Sequence, residues 1–293
     1  MAQIQWFQSR ESFTAAAKGL QEAILQQDAP IARAAGVNGH CPVCDRPTVF
    51  EVHTGTMSAD RPNLREGLRC AHCKLTARQR LILLAMRQEV GRLPAPLRGA
   101  ILEQTTRLYR VAHARWRWLA GSEYLGDGHL SGRRYWWSTH WWRWRHTRHE
   151  SITAFSHASH SLSLLVHSDV LEHVYDTRQA LRECARVLRK DGVMLFTAPF
   201  FADRDRSVLR GRPQDNGRIE HLEAPEYHGD GMARGGIYTF HNFGWDFFEL
   251  LRQSGYERVE IGLCHAPDEG LTSADPAGER AWCTLPLVFR AVK

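Results

Sequence analysis

The sequence predicts an α/β fold in which a mostly parallel sheet has helices on both faces, preceded by a small lobe that carries cysteines. After residue 97, strand-like segments that are apolar throughout alternate with amphipathic helical segments, a pattern typical of a parallel sheet covered on both faces. Two C-x-x-C pairs lie before that point, and Pro94 and Pro96 fall between the two regions. We therefore predict a helical and cysteine-bearing lobe over residues 1–96 and an α/β domain over residues 97–293.

The N-terminal lobe is predicted to contain two helices. Residues 9–27 begin with serines that can cap a helix, and apolar residues recur at helical spacing from Phe13 to Ile24. Residues 75–93 form the second predicted helix, with Thr76 as its N-cap and the prolines beyond it as its end.

The α/β domain is predicted from alternating strands and helices. The predicted strands lie within residues 98–106, 118–125, 162–170, 193–201, 256–263 and 281–293, and the first of these segments only opens as a short buried strand. The predicted helices are residues 108–116, 176–192 and 243–256, the second of which starts at Asp176 and ends at Gly192.

Composition limits the class of protein. Of the 293 residues, 43% are hydrophobic, which is enough for a sizeable core. No run approaches the roughly 20 apolar residues that a membrane helix needs, and the first residues lack the pattern of a secretory signal. The seven cysteines are odd in number and favour thiol or metal chemistry in a reducing compartment over a disulfide framework. We expect a cytoplasmic protein with no membrane partner.

The net charge of +6 allows a phosphate-bearing partner, although an ordinary solvated surface with excess arginine explains it as well. The densest basic stretch is Arg133 to Arg148, which also holds Trp136, Trp137, Trp141, Trp142 and Trp144. Three interpretations stay open for this stretch: a core or oligomer contact that includes a homodimer, an acceptor pocket, or a surface on which nucleic-acid bases stack.

Four cysteines form the most specific motif. Cys41 and Cys44 make one C-x-x-C pair, and Cys70 and Cys73 make the other. Two such turns complete a tetrahedral set of four thiolates, which suits a structural zinc ion. An iron–sulfur cluster and a redox dithiol are the alternatives.

Polar residues follow the predicted strands. Glu103, Gln104 and Thr105 follow the first strand, Glu123 follows the second and Ser168 and Asp169 follow the fourth, while His149 and Glu150 follow a presumed third strand. In an open α/β sheet the ligand binds beyond the carboxyl ends of the strands, and an acid after the second strand accepts the ribose hydroxyls of a nucleotide. The pattern therefore indicates a nucleoside-bearing cofactor.

The segment HSDVLEHVYDTRQALRECARVLRKDGVMLFTAPFF, residues 167–201, resembles the fourth-to-fifth-strand region of class I S-adenosylmethionine (SAM) methyltransferases. More loosely, the order of elements from Arg98 to Lys293 fits that family's domain, and the N-terminal half resembles a subset with a zinc-knuckle lobe. The resemblance implies a Rossmann-like methyltransferase sheet, SAM as the cofactor and methyl transfer as the activity. The residues that it implies for SAM binding are Glu103, Gln104, Thr105, Glu123, Tyr124, His149, Glu150, Ser168, Asp169 and His173.

The chain also departs from that family's pattern. Its first loop reads LEQTT where the family has a glycine-rich turn, and Ser151 stands where the family has an acid after the third strand. A diverged methyltransferase fold used for binding or for a non-methylating reaction is therefore an alternative.

The loop after the fifth predicted strand is rich in groups that can move a proton. His221, Glu226, Tyr227 and His228 are the predicted catalytic residues, because histidine titrates near neutral pH and a neighbouring tyrosine or glutamate can orient it. The expected partner is a small-molecule or glycan-type acceptor. A zinc-lobed RNA methyltransferase is the second interpretation, favoured by the positive charge and the tryptophan–arginine stretch.

Overall fold

The computed structural model describes residues 2–53, 57–58, 61–138, 144–229, 236–272 and 285–293. The helices are α1 (Arg10–Arg33), α2 (Leu64–Gly67), α3 (Ala77–Val90), α4 (Arg107–Arg115), α5 (Thr177–Val187) and α6 (Asp246–Gln253), with 3-10 turns at Leu171–His173 and Pro267–Glu269. The strands are β1 (Gln5–Phe7), β2 (Gly36–Cys41), β3 (Arg46–Val52), β4 (Met57–Ser58), β5 (Arg61–Pro62), β6 (Leu68–Cys70), β7 (Gly99–Ile101), β8 (Leu119–Gly121), β9 (Arg134–Trp137), β10 (Arg145–Arg148), β11 (Leu162–Ser168), β12 (Leu188–Thr197), β13 (Val208–Leu209), β14 (Gly211–Pro213), β15 (Ile219–His221), β16 (Tyr227–His228), β17 (Ile237–Tyr238), β18 (His241–Asn242), β19 (Arg258–Leu263) and β20 (Leu287–Val292).

A seven-stranded sheet with the order β1-β19-β20-β12-β11-β7-β8 forms the centre of the described structure. Strands β8, β7, β11 and β12 are parallel neighbours, whereas β20 runs antiparallel to both β12 and β19. The predicted α/β sheet is therefore confirmed as a mixed sheet, with parallel pairing from β8 to β12 and antiparallel pairing from β12 to β1. β1 adds an antiparallel strand at the edge of the sheet, beside β19.

The two faces of the sheet have separate hydrophobic layers. Along β11, Leu165 points into the layer that contains residues of α1, α5 and α6, while Leu164 and Val166 point into the layer that contains α3, α4 and the cysteines. This alternation follows from the two-residue period of a strand. Because both faces are covered, β11 is buried along its whole length, as its apolar sequence predicts.

Helix boundaries follow local capping signals where these are strong. Helix α3 starts after Thr76, which forms a capping box with Gln79, and this confirms the predicted start. Helix α1 starts after the Ser9 cap as predicted but continues to Arg33, past Pro30, well beyond the predicted end.

The predicted end of α5 at Gly192 is wrong. The helix ends at Val187, because Leu188 already pairs with Leu162 in the sheet as the first residue of β12. The polar stretch that follows turns at Asp191, whose φ is 59°, before β12 continues through the apolar residues of the core.

The presumed third strand of the α/β domain is largely replaced by a hairpin. β9 and β10 pair with each other, and among the described residues one parallel bridge, between His149 and Glu123, continues the sheet beyond the β8 edge. Charged and aromatic side chains fill β9 and β10 where a buried third strand would need an apolar run.

The cysteine-bearing lobe packs directly on the sheet. Strands β2, β3 and β6 form a three-stranded antiparallel sheet, and α3 lies against β12 and β20. The boundary at residue 96 stays a prediction, since the two regions share hydrophobic layers and β1 belongs to the central sheet. In the part of the chain that the structure describes, no helix combines the length and the apolar character that crossing a bilayer requires.

The edge contact between β1 and β19 depends on a glycine. A Cβ added at Gly262 would lie 2.5 Å from Ile4 Cγ2 and 2.8 Å from the Trp6 ring. We expect Gly262→Ala to lower the free energy of unfolding by about 1–3 kcal/mol, because the added methyl group overpacks this contact. Urea unfolding measures the change.

Gly19→Ala is the matched control. Gly19 lies inside α1, and a methyl group added there would have nothing within 4 Å, so this change should stabilise the protein by up to about 1 kcal/mol. Equal effects of the two substitutions would contradict the close packing of β1 on β19.

Candidate cofactor and acceptor site

Three acids lie at the carboxyl ends of neighbouring parallel strands. Glu103 follows β7, Glu123 follows β8 and Asp169 follows β11. Because parallel strands end at the same edge of a sheet, these carboxylates lie along one edge, which is where ligands of open α/β folds bind. The side chains of all three residues are mostly buried.

Asp169 is held by two arginines from the N-terminal lobe. Arg65 donates two hydrogen bonds to its carboxylate, at 2.9 and 3.1 Å, and Arg78 Nε lies 3.2 Å from Oδ2. Thr197 Oγ1, at the end of β12, donates a further bond of 2.8 Å. Burial alone would raise the pKa of Asp169, but the two guanidinium groups hold that pKa well below its usual range.

Glu66 completes this cluster. Its Oε1 lies 2.6 Å from a guanidinium nitrogen of both Arg65 and Arg78, so two acids and two arginines alternate in a buried group with no net charge. Sequence reasoning missed Arg65, Glu66 and Arg78. The segment NLREGLRC held the signal, but the four-residue helix α2 is too short to be predicted from periodicity.

Glu103 lies within the electrostatic influence of Arg78, yet the pKa of its carboxyl is raised. Burial raises the pKa of its carboxyl to about 7, although the charge of Arg78 acts in the opposite direction. A group with this pKa changes its charge readily when a cation binds nearby. A ligand that carries a positive charge would therefore favour the ionised form of Glu103.

Glu123 is oriented by the first loop. Its Oε1 accepts hydrogen bonds from both the backbone N–H and the hydroxyl of Thr105, each at 2.7 Å. The loop that lacks glycine thus uses a threonine to fix the acid that was predicted to accept ribose hydroxyls.

The remaining predicted cofactor residues on the β8 side bind other parts of the chain. Gln104 accepts a 2.8 Å bond from the backbone N–H of Arg148, and His149 Nδ1 accepts a 2.9 Å bond from that of Leu125. Tyr124 has a side chain that is more than half exposed. These contacts attach the β9–β10 hairpin to the sheet edge.

Glu150 is fully buried, and its carboxylate is hydrogen-bonded to neighbouring residues of the chain. Its carboxylate accepts hydrogen bonds from Arg148 Nε at 2.9 Å and from the backbone N–H and hydroxyl of Ser156 at 2.9 and 2.5 Å. This acid therefore closes the loop that leads into β11.

A second cluster lies three residues beyond Asp169. Glu172 and His173 stand on the 3-10 turn after β11, and Glu226 and His228 stand near β16 in the predicted acceptor loop. His228 Nε2 lies 3.1 Å from Glu226, and its Nδ1 lies 3.8 Å from Glu172. The structure therefore brings the predicted cofactor residue His173 next to two predicted catalytic residues rather than to the strand-end acids.

The charge of His228 is set by these neighbours. Burial alone would lower the pKa of its imidazole, but Glu172 and Glu226 raise it to about 9. The two carboxylates therefore favour the protonated form of this imidazole. A role as general base, which stays a prediction, therefore requires that something else neutralise the two carboxylates.

The other two predicted catalytic residues lie apart from this cluster. His221 Nδ1 is 3.2 Å from the hydroxyl of Tyr238, and Tyr227 is more than half exposed with its ring packed edge-on against Tyr238. Of the four predicted residues, the structure brings only Glu226 and His228 into direct contact.

The four predicted metal ligands converge. The sulfur atoms of Cys41, Cys44, Cys70 and Cys73 all lie within 4.8 Å of one another. Two of the separations, Cys41 to Cys73 and Cys44 to Cys70, are 3.9 Å. A tetrahedral zinc ion with bonds of about 2.3 Å separates its sulfur ligands by about 3.8 Å, so this arrangement fits zinc closely.

The tryptophan–arginine stretch forms an exposed surface where it is described. Trp136 and Trp144 are 67% and 59% exposed, and the Trp136 ring lies 5.3 Å from that of His146 across the β9–β10 hairpin. A core role is thus wrong for these two residues. Trp141 and Trp142 lie outside the described residues.

One protein-family model and several solved structures are similar to this chain. The family model of a methyltransferase domain matches residues 137–196, which include β11 and most of β12. No curated protein matches the chain. Among solved structures, an S-adenosylmethionine-dependent methyltransferase of Mesorhizobium loti is 16% identical, with 73% of this chain and 98% of that chain covered and a TM-score of 0.39.

Two other solved structures are similar at the same level. A SAM-dependent methyltransferase of Thermotoga maritima is 16% identical over 74% of this chain and 91% of that chain, with a TM-score of 0.33. A phosphoethanolamine N-methyltransferase of Haemonchus contortus, solved with S-adenosyl-L-methionine, is 12% identical over 61% of this chain and 37% of that chain, with a TM-score of 0.34.

The raised pKa of Glu103 predicts a pH-dependent stability. Unfolding restores an ordinary glutamate pKa near 4.5, so the folded protein holds the proton more tightly and its stability falls as the pH rises from about 4.5 to about 7. Glu103→Gln should remove this fall, which amounts to at most about 3 kcal/mol. Urea unfolding at a series of pH values measures it.

Glu220→Gln, on the exposed strand β15, serves as the control and should retain the wild-type slope. An unchanged slope in Glu103→Gln would show that Glu103 does not hold a proton in the folded protein.

The sheet has a Rossmann-like fold, and the match of residues 137–196 to a methyltransferase domain supports a methyltransferase enzyme.

Proposed function

We propose that the protein transfers a methyl group from SAM to a small-molecule or saccharide-type acceptor. The observation that carries the proposal is the meeting of Glu103, Glu123 and Asp169 at the carboxyl edge of the sheet, within a fold and a family match that belong to methyltransferases. The alternative of a fold used only for binding is favoured by the first loop, which lacks glycine.

The residues at this edge fit SAM in charge and in hydrogen-bonding capacity. Glu123, fixed by Thr105, is suited to accept the ribose hydroxyls. Glu103 offers a buried carboxyl whose ionisation a cationic ligand would favour, and SAM carries both a sulfonium and an ammonium group. Arg65 and Arg78, which bind Asp169 at the same edge of the sheet, are suited to face the methionine carboxylate.

SAM supplies an electrophilic methyl group when it is bound. The chain's own residues then have to hold the acceptor in line, exclude water and receive or redirect the acceptor's proton. The cluster of Glu172, His173, Glu226 and His228 lies on the turn that follows Asp169, next to the strand-end acids in sequence. We place the acceptor against this cluster, where carboxylates and imidazoles suit hydroxyl groups.

The cysteine cluster is proposed to bind one structural zinc ion. The sulfur separations of 3.9 Å support tetrahedral coordination. Arg80 supports it as well, because its fully buried guanidinium carries a positive charge close to the four cysteines, whose thiolates would leave the zinc site with a net negative charge. Helix α2 lies between the two cysteine pairs, so the zinc would also hold Arg65 and Glu66 in position.

A second candidate function is methylation of RNA. The exposed Trp136 and Trp144, together with Arg134 and Arg145 on the same hairpin, resemble a surface on which bases stack. A gel shift with single-stranded RNA that weakens steeply as salt rises would favour this acceptor.

Calorimetric titration with SAM tests the proposed function. We expect wild-type protein to bind SAM and Glu123→Gln to bind it about 10- to 100-fold more weakly, because the variant loses acceptor capacity for the ribose. Glu220→Gln is the control and should bind like wild type. The absence of both heat and thermal shift with wild-type protein at millimolar SAM would rule out the proposal, and equal affinities would remove Glu123 from the site.

Elemental analysis tests the zinc site. Cys70→Ser should contain one zinc ion fewer per chain than wild type and should melt at a lower temperature, because metal binding contributes to folding of the lobe. Cys184→Ala, which changes a buried cysteine of α5 outside the cluster, should retain the wild-type zinc content. Equal zinc contents of wild type and Cys70→Ser would contradict the assignment.

A further inference from the structure

The cluster on the turn after β11 has the geometry of a metal centre. One carboxylate oxygen of Glu172 and one ring nitrogen each of His173 and His228 lie within 4.8 Å of one another. Glu172 Oε1 is 3.7 Å from His173 Nε2 and 3.8 Å from His228 Nδ1. These separations are longer than hydrogen bonds, and they exceed the distance between ligands of a tetrahedral ion with bonds of about 2.1 Å by only a few tenths of an ångström.

The carboxylate of Glu172 is the strongest indication of a missing partner. Its side chain is fully buried, and neither oxygen has a hydrogen-bond partner among the described residues. The ring nitrogens of His173 and His228 lie 3.7 and 3.8 Å from Oε1, beyond hydrogen-bond distance, so this buried carboxylate lacks the direct partner that would offset the cost of its burial. The residue therefore points to a cation that sits between the two imidazoles.

Both histidines are oriented as metal ligands usually are. His173 Nδ1 lies 2.9 Å from the carbonyl oxygen of Tyr238, so it donates its proton there and leaves Nε2 as an acceptor towards Glu172. His228 Nε2 lies 3.1 Å from Glu226, which leaves Nδ1 towards Glu172. A ligating histidine commonly donates its second N–H to a carbonyl or carboxylate in this way.

Glu226 belongs to the outer layer of this centre. Arg210 Nε lies 3.6 Å from its other oxygen, so Glu226 is held between a guanidinium and an imidazole. The inner set is thus two imidazoles and one carboxylate. This set leaves coordination positions for ligands from outside the chain, and mixed nitrogen and oxygen donors suit divalent transition-metal ions.

We propose that Glu172, His173 and His228 bind a divalent transition-metal ion, and that this ion holds an acceptor through its hydroxyl oxygen. The second half of the proposal rests on the proposed methyl transfer and specifies an acceptor with a hydroxyl group. A cation at this position stabilises a hydroxyl oxygen that loses its proton.

Manganese binding to the zinc-loaded full chain tests the site. Mn²⁺ prefers carboxylate and imidazole donors to thiolates, so it distinguishes this centre from the four cysteines. We expect wild-type protein to bind one Mn²⁺ per chain, measured by loss of the free-ion signal in electron paramagnetic resonance. Glu172→Gln and His173→Gln should each weaken binding at least 10-fold. The control His241→Gln, whose imidazole contacts the Tyr175 carbonyl outside the cluster, should bind within twofold of wild type.

Two results would overturn the site: no Mn²⁺ bound by wild-type protein at submillimolar concentrations, or wild-type affinity in both ligand variants. Pulsed resonance on the wild type keeps the test decisive if a variant fails to fold. Coupling of the bound ion to imidazole nitrogen supports the site, and its absence contradicts it. No SAM or acceptor is present in these measurements, so their failure leaves the proposed methyl transfer standing. Conversely, a protein that binds Mn²⁺ but not SAM would retain the metal centre and lose its role in methylation.

Discussion

The buried group formed by Arg65, Glu66, Arg78 and Asp169 joins the cysteine-bearing lobe to the sheet, and the geometry of the site depends on it. Its two positive and two negative charges alternate at distances of 2.6 to 3.2 Å. Removing charges from water costs several kcal/mol per ion, and this cost is offset only while every partner is present. The strand edge therefore has its shape only when the lobe is in place.

Asp169 is the residue of the sheet edge that the arginines of the lobe bind, and its backbone conformation is unusual. Asp169 has a φ of 50°, a left-handed conformation that glycine adopts more readily than aspartate. The bonds from Arg65 and Thr197 hold the carboxylate in spite of that backbone. The 3-10 turn that carries Glu172 and His173 follows almost directly. One tight turn therefore separates the charged group around Asp169 from the carboxylate and imidazole cluster around Glu172.

Much of the fold and part of the site could be predicted from the sequence. The apolar runs of β11 and β12 indicate buried parallel strands, and the polar residues after them follow from the rule that such strands end at one edge. The two C-x-x-C pairs indicate their own convergence. In each case the signal is local, since a few neighbouring residues determine both the structure and its position.

The unpredicted features depend on contacts between distant residues. Helix α2 has four residues, and its Arg65 hydrogen-bonds to Asp169, which lies 104 positions further along the sequence. The sequence grouped His173 with the cofactor residues at the strand ends. In the structure its ring lies 5.1 Å from that of His228, which belongs to the predicted acceptor loop. Glu150 looks like a ligand in the sequence, yet three hydrogen bonds from Arg148 and Ser156 occupy it. No periodicity or spacing specifies such partners.

The position of β1 at the sheet edge has a consequence for how the chain acquires its fold. Gln8, next to β1, bonds to Glu260 of β19 across 252 residues of sequence. During synthesis the ribosome releases the N-terminal segment long before its partner strand exists, and synthesis proceeds at about 5–20 residues per second. β1 therefore spends on the order of ten seconds or more unpaired, while the cysteine-bearing lobe next to it can already assemble around its own short-range contacts.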